Sequence, residues 1–183
     1  MNIGLIIVGD EILSGKRADK HMPRLIELLA APGLQLAWAR YLGDDRGRIT
    51  DALREAFAGG DLVFSCGGIG ATLERMRDVA AEQGQPYEPD RPDNGHRLNM
   101  GVFPQGARLI PNPYNKIPGF SVGDVHFVPG FPVMAWPMME WVLDTLYAPL
   151  HGAARSVERS VIVYGAMEAA LTPLMEAIEA RFP

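Results

Sequence analysis

The sequence predicts an α/β fold in three layers, a mostly parallel sheet with helices on both faces, followed by a short βα C-terminal fragment. Three observations lead there. The run Ile3-Gly4-Leu5-Ile6-Ile7-Val8 is continuously apolar and rich in β-branched residues, as a strand covered on both faces must be. Strand-like and helix-like patterns then alternate as far as Cys66. The composition, 48% hydrophobic and 21% charged over 183 residues, suits one complete core with a small remainder.

The elements follow in order. After the first strand, Leu25, Leu28 and Leu29 recur at helical spacing and predict a helix from about His21 to Ala31, with Pro23 tolerated in its first turn. Leu34 to Tyr41 reads as a second strand. Ile49, Leu53 and Phe57 lie four apart and predict a helix over Arg46 to Ala58, and Leu62 to Cys66 reads as a third strand. Further strands are expected at Ala107 to Ile110 and Val125 to Val128, among proline and glycine clusters. A helix follows from about Val133 to Tyr147, with Trp136, Met139, Val142, Leu143 and Leu146 as its apolar face. Residues 1–150 thus form one domain. Residues 154–183, with a strand at Val157 to Tyr164 and a helix at Glu168 to Arg181, read as the start of a small α/β module, because a βα pair alone cannot bury its own face.

A formal charge of -5 without a run of Lys or Arg gives no electrostatic footprint for nucleic acid or anionic lipid, so neither partner is expected. The first eight residues are too short to span a bilayer and lack the basic start of a signal peptide. One cysteine, Cys66, excludes a disulfide within the chain, and a reducing cytoplasm is the expected compartment. Cys66 lies in an apolar run and reads as a buried core thiol. His21, His96, His126 and His151 show no metal-ligand spacing, and Ser14 has no visible base, so neither a zinc site nor a nucleophilic triad is indicated.

Ligands of open parallel sheets bind beyond the carboxyl ends of the strands. Four segments fall there: Gly9-Asp10-Glu11, Gly43-Asp44-Asp45, the loop Gly67-Gly68-Ile69-Gly70-Ala71-Thr72, and Pro129-Gly130-Phe131-Pro132. Gly67, Gly68 and Gly70 let backbone N–H groups approach an anion, although a tight turn needs glycine as well. The loop is neither a Walker motif nor the dinucleotide fingerprint. Asp10, Glu11, Asp44 and Asp45 are oxygen donors for Mg²⁺ or another divalent metal, and equally are residues that cap helices.

Together these segments resemble a known family. Gly9-Asp10-Glu11-Ile12-Leu13-Ser14-Gly15 and Leu42-Gly43-Asp44-Asp45 look like the first motifs of MoaB/Mog and CinA-like domains, and Gly67 to Thr72 is similar to their Gly-Gly-x-Gly-Pro-Thr loop, with Ala71 for proline. Pro104-Gln105-Gly106-Ala107, Pro111-Asn112-Pro113, Pro118-Gly119-Phe120 and Pro129-Gly130-Phe131-Pro132 resemble the closing motifs of the CinA-like branch. The resemblance covers about residues 1–150. It implies a domain that binds a phosphorylated pterin such as molybdopterin, or a nucleotide, usually as an oligomer. Gly9, Asp10, Glu11, Gly67, Gly68, Gly70, Thr72, Pro129 and Gly130 are the ligand-binding candidates, Asp44 and Asp45 the metal candidates, and no residue is assigned to catalysis.

Two departures stand out. His21 occupies a place where the family has asparagine. The family's glycine loop also runs on into an Asp-Asp pair credited with metal binding, whereas here Thr72 meets Leu73-Glu74-Arg75-Met76, which resembles a later family segment along with Asp93-Asn94 and Arg97. A block of roughly 25 to 30 residues, a helix with its connections, is thus missing between Thr72 and Leu73. A break in the structure is expected at that junction. Three functions follow as alternatives: a ligand-binding domain with an incomplete metal site; a metal-dependent pyrophosphatase of the ADP-ribose type that keeps the block in its natural polypeptide; or an interaction module whose Trp136, Met138, Met139 and Trp141 form a subunit surface. A dimer or trimer is expected from that Trp136–Trp141 stretch and from the family.

Overall fold

The computed structural model describes residues 1–68, 103–152 and 167–181, together with 162, 164 and 165. The Thr72/Leu73 junction, Gly70 and Thr72 lie outside the described residues, as does most of the strand expected at Val157 to Tyr164.

Strands β1 (Ile3–Val8), β2 (Trp38–Leu42), β3 (Leu62–Cys66), β4 (Arg108–Ile110), β5 (Gly119–Val122) and β6 (Val125–Val128) form one sheet in the order β2-β1-β3-β6-β5-β4. The four strands β2, β1, β3 and β6 run parallel, and β5 and β4 add an antiparallel edge. β1 and β3 are central and buried along their whole lengths, which explains their unbroken apolar runs.

The helices are α1 (Asp10–Leu13), α2 (His21–Ala30), α3 (Arg46–Gly59), α4 (Pro132–Leu146) and α5 (Glu168–Arg181), and a 3₁₀ turn covers Ala148–Leu150. Side chains of β1 divide by the strand's period of two. Ile3, Leu5 and Ile7 join Leu62, Phe64 and Cys66 of β3 under Leu25 and Leu29 of α2 and Met138, Met139 and Val142 of α4. Ile6 and Val8 join Val63, Phe120 and Phe127 under Ile49, Leu53 and Ala56 of α3. The two clusters are the cores on either side of the sheet. Each of the fully buried side chains Leu5, Leu25, Phe64 and Phe120 contributes roughly 1.5–3 kcal/mol.

Several sequence expectations need adjusting. β2 begins at Trp38 rather than Leu34, because Leu34 is held by its N–H to Leu29 O at 2.8 Å as the chain leaves α2. Neither α1 nor β5 was foreseen. Most consequential is α4: Met138 and Met139 are fully buried against the sheet, so they form no part of a subunit surface, and only Trp136 and Trp141 are partly exposed. In α5 nearly every described side chain is exposed, including Leu174, Met175 and Ile178.

Candidate functional site

The carboxyl ends of β1, β3 and β6 meet around a cavity of about 530 Å³. Its glycines are there for space. At Gly67 φ is +85°, and a Cβ would lie 2.4 Å from the Val8 carbonyl oxygen, while one on Gly130 would lie 3.1 Å from Gly67 Cα. Only residues without a Cβ allow the β1, β3 and β6 backbones to approach this closely. Gly68 follows at φ +61°, so two consecutive residues adopt left-handed conformations at the cavity wall.

The acidic residues divide by task. Glu11 and Asp44 line the cavity. Asp10 stands behind them, its Oδ1 accepting from Asp44 N–H at 3.1 Å, and Gly43 makes room, since a Cβ there would lie 2.5 Å from that same oxygen. Asp45 turns away from the cavity and caps α3 by accepting from Arg48 N–H at 2.8 Å. Of the sequence-predicted residues, Gly9, Glu11, Gly67, Gly68, Pro129, Gly130 and Asp44 therefore converge, and Asp10 supports them.

Arg17 and Asn115, which the sequence did not single out, complete the wall with His21, Asn112 and Phe131, which it named without assigning them to the site. His21 Nε2–H donates to the Gly130 carbonyl at 3.2 Å, which leaves Nδ1 as the unprotonated nitrogen, buried and without a partner among the described residues. Burial pushes the imidazole pKa down, against the opposing pull of the Gly130 bond and of Asp19, so the ring is held neutral. Asn112, 3% exposed, shapes the loop beyond β4: its Nδ2 donates to Asn115 Oδ1 and Ile117 O, and its Oδ1 accepts from Tyr114 N–H. In that loop Lys116 has φ +65°. Cys66 ends β3 at the cavity floor, and burial raises its thiol pKa well above the ordinary value, in agreement with an unreactive core thiol.

Among the described residues no three His, Cys, Asp or Glu side chains converge to hold a metal ion. Chemically, the site combines the backbone N–H of Gly68, that of Gly67 being taken by the Val128 carbonyl at 3.1 Å, with carboxylate acceptors at Glu11 and Asp44 and one exposed guanidinium at Arg17.

Residues 4–148 match the family model described as a probable molybdopterin binding domain. The chain belongs to this family. Within the molybdopterin-binding-domain family it is similar to the CinA-like protein of Anaeromyxobacter dehalogenans strain 2CP-1, 30% identical over 200 residues that cover 96% of this chain and 49% of that protein. The CinA-like protein of Syntrophotalea carbinolica is 27% identical over 210 residues, covering all of this chain and 51% of its own. The chain thus spans about half the length of the curated relatives it matches. An alignment of 210 positions against 183 residues also means that this relative carries residues the chain lacks.

The fold is that of the crystal structure of the protein CinA from Thermoplasma acidophilum, with a TM-score of 0.56 at 26% identity over 81% of this chain and 97% of that one. It is shared by MoaB from Thermus thermophilus, with a TM-score of 0.51 at 22% identity over 81% and 93% of the two chains. Motifs, relatives and fold place the chain on the CinA-like branch of the MoaB/Mog type. No described helix is long and apolar enough to cross a membrane.

Proposed function

We propose that this domain binds a phosphorylated pterin or a nucleotide in the cavity at the carboxyl ends of β1, β3 and β6. The observation that carries this reading is the meeting of Gly67, Gly68 and Gly130 with Glu11 and Asp44 around one cavity. With the Gly67 N–H held by the Val128 carbonyl, the positive-φ turn offers an anion the N–H of Gly68. The carboxylates of Glu11 and Asp44 match the amino, ring N–H or hydroxyl donors that a pterin or nucleoside carries and a bare phosphate lacks. Glu11 is set against Arg17 at 3.7 Å, which offsets part of its repulsion toward a phosphate.

Among the described residues the cavity offers two carboxylates, Glu11 and Asp44, while Asp45 is engaged as a helix cap and no three His, Cys, Asp or Glu converge. A Mg²⁺ held there would take its remaining ligands from water and from the ligand's own phosphates. No pyrophosphatase step is assigned to these residues. Calorimetric titration of molybdopterin and ADP-ribose, with and without EDTA, tests the reading. Binding that persists in EDTA and weakens in folded Gly68→Val supports it; undiminished binding by that variant overturns the phosphate role of the glycine turn. We also propose that the domain associates as a dimer or trimer, through exposed apolar side chains such as Leu109, Tyr114 and Val133 rather than the buried methionines of α4. A monomer at all concentrations in sedimentation would exclude this.

A further inference from the structure

Phe131 occupies a position where its residue type has no local explanation. It is the N-cap of α4, where Ser, Thr, Asp or Asn ordinarily accept the free N–H groups of the first turn, and its side chain forms no cap bond. Its carbonyl does serve the helix, accepting from Met134 N–H at 3.0 Å and Ala135 N–H at 2.9 Å, so the backbone that carries the ring is fixed. Nor does the core need the ring, which is 55% exposed while lining the cavity.

From the loop between α1 and α2, the Arg17 guanidinium carbon lies 5.8 Å from the centre of this ring. Arg17 is anchored by its own N–H to Glu11 O at 3.0 Å, and its Nη1 lies 3.7 Å from Glu11 Oε1. The guanidinium thus lies over the ring, too close for a second ring to enter between them, and the pair forms one stack at the cavity rim beside a carboxylate. A flat conjugated ring extends that stack through aromatic or cation–π contact, and its N–H groups find an acceptor in Glu11. A sugar, with no conjugated face, gains less.

We propose that Phe131 and Arg17 form a stacking platform that makes the cavity selective for a flat nitrogen heterocycle, purine or pterin, over sugar phosphates of equal charge. The proposal rests on the anion-binding reading of the Gly67–Gly68 wall and assigns the opposite end of the same ligand. It makes Phe131 and Arg17 specificity-determining residues.

The test uses AMP and ribose 5-phosphate as probes, titrated into the wild type and the variants F131A, F131W and R17Q. The wild type should bind AMP about tenfold or more tightly than ribose 5-phosphate, and F131A should lose that preference while its affinity for ribose 5-phosphate changes less than about twofold. F131W should restore the preference, because any aromatic face serves, and R17Q should reduce it partly. Should F131A not fold, F131L removes the aromatic face while keeping apolar bulk. Equal affinity of the wild type for the two probes, or equal weakening of both by F131A, overturns the stacking platform and leaves the anion site standing. Failure of the wild type to bind either probe overturns both.

Discussion

The imidazole of His126 donates through Nε2–H to the hydroxyl oxygen of Tyr147 at 2.8 Å, tying the middle of β6 to the end of α4. Tyr147 in turn donates to Asp124 Oδ1 at 2.7 Å, and Ser121 donates to His126 Nδ1 at 2.7 Å. Every donor in this buried chain has an acceptor, and the neutral ring is the only form that satisfies all of them.

A dependence of stability on pH follows. Burial depresses the His126 pKa from 6.5 to about 4, against the raising influence of Asp124 and with a further lowering from Arg108. The unfolded chain therefore binds this proton more readily than the folded one. Stability from this group is complete above pH 6.5 and is lost as pH falls toward 4, by about 3 kcal/mol across the window. His21, also depressed by burial, acts with the same sign. Urea denaturation between pH 7.5 and 4 measures the slope, which His126→Gln should reduce. A slope unchanged in that variant would reassign it.

Tyr147→Phe leaves the His126 Nε2–H without its acceptor in a closed environment. The expected loss is roughly 1–3 kcal/mol at neutral pH, seen as a lower denaturation midpoint with an unchanged m-value.

Gly67→Ala combines a left-handed backbone with a Cβ aimed at the Val8 carbonyl, an atom of a central strand that cannot step aside. A loss of about 2 kcal/mol or more is expected. Thermal denaturation against wild type checks it.

The adjacent acids Asp44 and Asp45 should separate cleanly. Asp45→Ala removes the α3 cap and costs about 1 kcal/mol in stability, with no effect on ligand affinity. Asp44→Asn leaves the cap intact and weakens a ligand that donates to the carboxylate. Denaturation and calorimetry on both proteins provide the comparison; a reversed pattern would exchange their roles.

Lys116 holds φ +65° in the loop that Asn112 organises. Lys116→Gly should be neutral or slightly stabilising, whereas the β-branched Lys116→Val should cost about 1–2 kcal/mol. Denaturation midpoints of the pair decide the matter.

Most of the fold was legible because its central strands are two-faced. Ile3–Val8 and Leu62–Cys66 are buried throughout, and a continuous apolar run has few other uses. β5 escaped because Gly119-Phe120-Ser121-Val122 sits among prolines and has no alternation, although the Gly123-Asp124 pair before Val125 is a two-residue hairpin signal that would have revealed it. α1, four residues long, is below the length at which helical periodicity can be read. At the site, the strand-end motifs were visible because each is local. Arg17, His21 and Asn115 belong to a loop, a helix start and a second loop that only the tertiary fold brings together. Asn112 was seen as part of a proline-flanked motif, but its three hydrogen bonds are not encoded in spacing.

The solitary thiol at the end of β3 offers a clock for the breathing of the site. Cys66 is the chain's only cysteine, 1% exposed on the cavity floor, so a thiol reagent can reach it only when the β3 end opens. In the limit of rapid reclosing, its labelling rate relative to a free thiol reports the free energy of that opening at one atom, without mutation or added dye.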